Sequence, residues 1–367
     1  MKQTEILKQA IEKLENYKAK KHFLVGFDGF VDEIIHVVDK RQSLDEYKRI
    51  KDIPVFSERI ASGAGLSANI ELVPVQTKLG GNGPIMANAI ITQDHEVTYI
   101  GAIGGKRIDP VFEEFAGKCR RVITLTEPGH TDALEFYDGK IMLGKMNNLV
   151  DVSLEKLLEK ISEEDLKQLL ADTDMIAFTN WTMLSNLNGI IEKFGSIISG
   201  LNKKPRVFID LADPRKRTTK DIKQVLTLIS GLPCDTILSM NLSESTTISL
   251  VLGIKEDEIL PRAMQIREKM GVYGIVIHPL NGAAIASEED TVWLTGPFTQ
   301  KPKLTTGAGD NFNAGFCNAW LGGFTPGECL MMGVCTSGYY VRKAQSPTRK
   351  ELLKFKKEWL AINCGTI

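Results

Sequence analysis

The sequence predicts an α/β fold: a mostly parallel sheet covered by helices on both faces, with a small β lid beside it. Three observations predict it. From Asp174 onward, short apolar runs alternate with helical patterns. Between 30 and 146, separate strand patterns read as an excursion from the main sheet. After Gly309, the chain is almost all helical pattern to Leu360.

The elements follow in order. Ile6, Leu7, Ala10, Ile11, Leu14 and Tyr17 recur at helical spacing with Lys and Glu between them, an amphipathic helix expected to pack on its own domain. A short apolar strand, His22 to Phe27, leads into Asp28-Gly29-Phe30-Val31-Asp32, and strand character continues from Val31 to Val38. Arg41 to Lys78 is polar and mixed, with a small-residue loop at Ser62-Gly63-Ala64-Gly65 and a strand pattern at Ile70, Leu72, Val73 and Val75. Leu134–Phe136 and Lys140–Leu143, joined by Tyr137-Asp138-Gly139, read as a hairpin, because Asp-Gly suits the tight turn. Lid segments are therefore expected near 30–38, 61–79 and 131–146, inside one domain spanning 1–367. Strands are expected at Met175–Thr179, Val207–Asp210, Thr236–Met240 and Ile275–His278, with helices at Ser185–Ser199, Lys220–Ile229 and Glu256–Met270 between them. Gly322-Gly323 and Ser346-Pro347 interrupt the helical C-terminal part.

Composition narrows the functional classes. With 43% apolar and 25% charged residues the chain has ordinary globular composition. Lys plus Arg (45) balances Asp plus Glu (46), so no general electrostatic pull toward nucleic acid or an anionic membrane exists, and neither is expected as a partner. The six cysteines, at 119, 234, 317, 329, 335 and 364, form no Cys-x-x-Cys pair, which argues against a zinc site or dithiol motif and for reduced thiols. Met1 to Lys21 is charged and lacks an apolar signal core, and no run is long or apolar enough to span a bilayer. A cytoplasmic location is expected.

Common catalytic patterns are absent. Gly105-Lys106-Arg107 is no Walker loop; no Gly-x-Gly-x-x-Gly opens a helix; no Gly-x-Ser-x-Gly elbow or His-Glu-x-x-His pair occurs. The five histidines are scattered, and only His278, at a strand end, lies near the candidate site. The strongest signal is Leu304-Thr305-Thr306-Gly307-Ala308-Gly309-Asp310, running into Asn311-Phe312-Asn313-Ala314-Gly315-Phe316. Three small residues before a helical pattern let the backbone approach a ligand and leave the first helix N–H groups free for an anion, usually phosphate. A carboxylate at that spot is odd for a pure phosphate cradle and sensible for a base that accepts a proton from an attacking hydroxyl. The local alternative is a capped helix after a tight turn.

This run resembles the second signature of the ribokinase-like (PfkB) carbohydrate kinases, Asp-Thr-x-Gly-Ala-Gly-Asp. The resemblance implies a ribokinase-like three-layer sandwich with a β lid, Asp310 as catalytic base, Gly307, Ala308 and Gly309 as anion hole, and Thr305 and Thr306 at the nucleotide. Leu304 stands where the family has its opening Asp, which puts a K⁺ site in doubt. Asn241-Leu242-Ser243-Glu244 resembles the family's Asn-x-x-Glu motif, implying that Asn241 and Glu244 organise phosphate and Mg²⁺, with Glu244 holding the metal through water. Taken alone, it is equally an ordinary helix start. Gly80-Gly81-Asn82-Gly83-Pro84 resembles the glycine-pair signature that approaches the sugar, with Ile85 where the family has Asn and Asn88 further on. Asp32 is the favoured hydroxyl-binding carboxylate and Asp28 the second choice; Asp210, Asp213 and Arg215 end another strand at the sheet edge where ligands bind, or form a loop salt bridge there. The expected activity is Mg²⁺-dependent phosphoryl transfer from ATP to a hydroxyl of a small carbohydrate. The alternatives are a nucleoside or small-alcohol kinase, an ADP-dependent sugar kinase, and a catalytically silent sugar- or nucleotide-binding protein. An exposed lid sheet is also a candidate homodimer surface.

Overall fold

The computed structural model describes residues 3–364 of the 367-residue chain. In chain order its strands are β1 (His22–Phe27), β2 (Phe30–Arg41), β3 (Tyr47–Arg49), β4 (Leu72–Gly80), β5 (Glu96–Gly101), β6 (Arg121–Thr124), β7 (Gly129–Glu135), β8 (Lys140–Lys145), β9 (Met175–Phe178), β10 (Arg206–Asp210), β11 (Thr236–Met240), β12 (Gly274–Ile277), β13 (Gly282–Ser287) and β14 (Thr291–Thr295). Nine of them form one sheet in the order β14-β13-β12-β11-β10-β9-β1-β5-β6. From β6 to β12 the pairing is parallel, and β13 and β14 close the edge as an antiparallel meander.

The central strands are buried on both faces, which is why they read as unbroken apolar runs. Alternate residues serve two cores. Leu24, Ile176, Phe178, Val207, Ile209, Leu238 and Ile275 pack with helices Leu154–Lys160, Glu163–Ala171, Leu187–Ser199, Thr219–Ser230 and Ile259–Met270 on one face. Phe23, Val25, Met175, Ala177, Phe208, Ile237 and Val276 pack with helices Gln3–Asn16, Asn82–Thr92, Ala308–Leu321 and Pro326–Lys343 on the other. Three layers result. The N-terminal amphipathic helix buries Ile6, Leu7, Ala10, Ile11 and Leu14 within the second core, as its spacing predicts.

The lid is a five-stranded sheet built on β2, which pairs antiparallel with β4 along one side and with β7 (parallel) and β3 along the other; β8 follows β7. The strand expected from Ile70 begins at Leu72, so residues 61–71 of the anticipated 61–79 segment lie outside the sheet: the end of a helix, turns and irregular chain fill them. That helix, Ile53–Ala61, sits in a stretch that reads as polar and mixed because it buries a single large residue, Phe56. Phe56 joins Ile35, Val37, Ile50, Leu134 and Phe136 in a small separate core beneath the lid. The hairpin turn covers residues 136–139, with Glu135 paired to Lys140.

Candidate active site

The site gathers where strands β1, β10 and β11 end and three helices begin, the edge of a parallel sheet at which ligands bind. Helix Ala308–Leu321 starts from Gly307, whose φ of +88° belongs to glycine, and carries Asp310 in its first turn, 5% exposed. Burial, then the nearby carboxylates of Asp210 and Asp28, pushes the Asp310 carboxyl well above the usual carboxylate range. A base that holds its proton more tightly is a stronger acceptor for a hydroxyl proton.

The glycine-pair turn reaches the same place from 228 residues away: Asn82 Nδ2 donates to Asp310 Oδ1 at 2.9 Å. Gly81, at φ +100°, turns the chain out of β4 so that helix Asn82–Thr92 starts against the site. Asp28 receives that helix start. Its carboxylate accepts from the Asn82 and Gly83 backbone N–H groups at 2.9 and 2.8 Å and from Asn180 Nδ2 at 2.7 Å. Asp28 is therefore fully buried and occupied, organising the turn. Asp32 instead borders a second cleft of about 650 Å³, with Lys78, Asn88, Leu304, Thr306 and Tyr340 on its walls.

Asn241 and Glu244 form a capping box. Asn241 Oδ1 accepts from the Glu244 N–H at 3.0 Å, while Glu244 accepts from the Asn241 N–H and Nδ2 at 2.8 and 2.7 Å. The pair is thus an ordinary helix start in its local geometry, as its sequence alone allowed. Burial and the carboxylates of Asp210, Asp213 and Asp310 push Glu244 up to about 9. Asp210 accepts from Asn313 Nδ2 at 2.7 Å and from the Ala212 N–H at 2.8 Å, tying β10 to the Asp310 helix. Asp213 turns away into the bidentate loop ion pair with Arg215 at 2.8 Å.

The first-turn amides do not all face a ligand. The Ala308 N–H donates to the Thr305 carbonyl at 3.1 Å, whereas the N–H groups of Gly307 and Gly309 have no partner among the described residues. Thr305, Ala308, Gly309 and Asn241 line a cleft of about 500 Å³, walled otherwise by largely apolar residues including Pro279, Phe298 and Val341. That size and lining suit a nucleotide base with its phosphates at the helix start. Thr306 is separated from this group and faces the second cleft. His278 also lines the nucleotide-sized cleft, its ring stacked on Phe312 at 4.7 Å between centroids, and burial pushes it down to about 4, so it is neutral.

Asn180, Asp210, Asn313 and Tyr340 complete the site; Asn313 lies in the run that follows Asp310 and Asp210 at a strand end, whereas Asn180 and Tyr340 carried no signal in the sequence. Among the described residues no ion pair involves Asp28, Asp210, Glu244 or Asp310, and no three His, Cys, Asp or Glu side chains converge as direct metal ligands. Buried carboxylates that raise one another and lack a cation fit a hydrated Mg²⁺ held through its waters rather than a ligand cage.

A family model for prokaryotic ketohexokinase matches residues 2–359. The ketohexokinase of Haloferax volcanii is 28% identical over 345 residues, covering 92% of this chain and 91% of that one. Among solved structures, ribokinase from Thermotoga maritima superposes with a TM-score of 0.63 at 18% identity, covering 92% of this chain and all of that one. A probable sugar kinase from Rhizobium etli gives 0.67 at 16%, covering 96% of this chain and 100% of that one. These two establish the ribokinase-like fold.

Proposed function

The chain belongs to the prokaryotic ketohexokinase family, within the ribokinase-like (PfkB) carbohydrate kinases, and from that premise we propose that it transfers the terminal phosphoryl group of ATP to a hydroxyl of a ketohexose. The observation that carries the reading is the meeting of Asp310, Asn82 and the open amides of Gly307 and Gly309 at one helix start.

In this reading the whole chain is one kinase domain. The phosphates lie on the Gly307 and Gly309 N–H groups, with the base in the cleft beside Pro279, Phe298 and Val341. Asn82 orients the Asp310 carboxylate, which takes the proton of the attacking hydroxyl in line with the departing nucleotide. Asp32 and the Gly80–Asn82 turn hold the sugar, and Asp28 fixes that turn. Asn241 and Glu244, with Asp210 behind them, would hold a hydrated Mg²⁺; when bound, it supplies positive charge against the donor's phosphates. Closure of the lid excludes water that otherwise competes for the phosphoryl group. Leu304 is apolar and the Thr306 carbonyl is already bonded, at 2.8 Å, to the Tyr340 hydroxyl, which supports turnover without K⁺. Exposed apolar residues on the outer lid strands, Leu72 and Val75 on β4 and Met142 and Leu143 on β8, support self-association through the lid.

The test is direct. Incubate the protein with Mg²⁺ and either ATP or ADP against ketohexoses, aldohexoses, phosphosugars and nucleosides, with Asp310→Asn alongside. ATP-dependent phosphorylation of a ketohexose is expected, with turnover reduced about 10³-fold or more by Asp310→Asn while nucleotide binding persists. Transfer only to nucleosides, only from ADP, or to nothing overturns the substrate reading; near-normal turnover of Asp310→Asn overturns the base.

A further inference from the structure

We propose that Tyr340 is a positioning residue for phosphoryl transfer: its hydroxyl sets the direction of the Thr306–Gly307 peptide and so aims the Gly307 N–H at the reacting phosphate. The inference rests on the kinase reading above and adds a residue that no motif marks.

A trans peptide holds its C=O and N–H in one plane and pointing in opposite directions, so fixing one fixes the other. The Thr306 carbonyl accepts from the Tyr340 hydroxyl at 2.8 Å. The Gly307 N–H therefore points to the opposite side of the loop. The two sides are distinct: Thr306 and Tyr340 line the 650 Å³ cleft, while Thr305, Ala308 and Gly309 line the 500 Å³ cleft. The loop is the wall between them, and the Tyr340 bond keeps the amide on the nucleotide side.

Gly307 is shaped to permit this contact. A Cβ there would sit 2.8 Å from the Tyr340 hydroxyl, and its φ of +88° disfavours any side chain. Tyr340 itself is 7% exposed on helix Pro326–Lys343, whose last turn also receives the loop's earlier part: the Lys303 N–H donates to the Val341 carbonyl at 2.7 Å. Burial, with the Asp310 carboxylate adding to it, pushes the phenol up to about 12, so it keeps its proton and remains a donor wherever the enzyme works. Without the hydroxyl, the peptide loses the bond that prevents it from rotating, and the Gly307 amide leaves the phosphate for part of the time. Misdirected donors at a developing charge lower turnover far more than they weaken ground-state binding.

Tyr340→Phe removes one oxygen and keeps the ring. The expected result is a fall in kcat of about tenfold or more, with the acceptor KM within about threefold and the melting temperature nearly unchanged. Amide hydrogen exchange over residues 305–310, read in the free protein, should quicken about tenfold. Tyr339→Phe, whose ring packs on Phe355 away from the loop, is the control and should change neither. A kcat within twofold of the parent, or unchanged exchange at 305–310, overturns the proposal. Parent enzyme that transfers no phosphoryl group overturns the kinase reading instead, and the exchange measurement still decides the role of Tyr340 in the loop.

Discussion

Glu244 carries the sharpest conflict between local structure and charge. As the third residue of helix Leu242–Val251 it closes the capping box that starts the helix, yet it is half-buried, and burial with the charges of Asp210, Asp213 and Asp310 raises its carboxyl to about 9. A carboxyl raised in the folded state binds its proton more tightly there than in the unfolded chain. Stability is therefore complete below the ordinary value near 4.5 and is lost as pH rises toward 9. Glu244→Gln keeps the two backbone bonds of the capping box, gives up the one from Asn241 Nδ2, and removes the charge. The metal-free variant should melt roughly 3 °C or more above the parent at pH 8 and alike at pH 4, by calorimetry. Parallel melting curves at the two pH values would show that the carboxyl is not strained. Addition of Mg²⁺ should raise the parent's melting temperature and leave the variant's unchanged.

Among the elements, helix Ile53–Ala61 illustrates how a lid is stiffened. Its one large buried side chain, Phe56, packs against Phe136 with the rings tilted and their centroids 5.4 Å apart, and closes the small core under β2 and β7. Because this core is separate from the two that flank the main sheet, damage to it stays local. Phe56→Ala should raise the acceptor KM roughly tenfold, since the lid carries Asp32, while nucleotide affinity stays within about twofold. Equilibrium nucleotide binding and steady-state kinetics separate the two. Equal losses at both ligands would mean that the lid core supports the whole site. Strands β1, β9, β10, β11 and β12 were legible in the sequence because each is an apolar run inside the sheet, and from β9 onward amphipathic helices separate them; β6, β13 and β14 were not, because the edge strands β6 and β14 are partly exposed and no helix divides the β12-β13-β14 meander. The Ile53–Ala61 helix was not, because Ile53, Phe56 and Ile60 repeat at helical spacing over barely two turns inside a polar stretch, and only Phe56 is buried.

For the whole molecule, the outer lid strands leave Leu72, Val75, Met142 and Leu143 between 41% and 49% exposed, whereas the flanks of the main sheet are covered by helices. Exposed apolar residues at sheet edges are a pairing surface unless something blocks them. Light scattering should therefore return twice the chain mass of 40.6 kDa, and Met142→Lys with Leu143→Lys should return the single value. A monomeric parent would remove the lid from any role in association.

By itself the sequence determined what is local in the chain: the strand–helix alternation, the glycine-rich helix start with its carboxylate, and the Asn241–Glu244 pair three residues apart. Each is written in neighbouring residues, where spacing alone sets geometry. Only the tertiary structure decided which groups meet. It set Asn82 on Asp310 and Asn180 on Asp28, 228 and 152 residues apart, and it separated Thr306 from Thr305 by turning one peptide over. It also set the Asp28 carboxylate on the amides of helix Asn82–Thr92 and Asp32 at the border of a cleft, a difference invisible in spacing. The reason is physical: a hydrogen bond between distant residues depends on how two packed layers bring their strand ends together, and no stretch of sequence holds both partners.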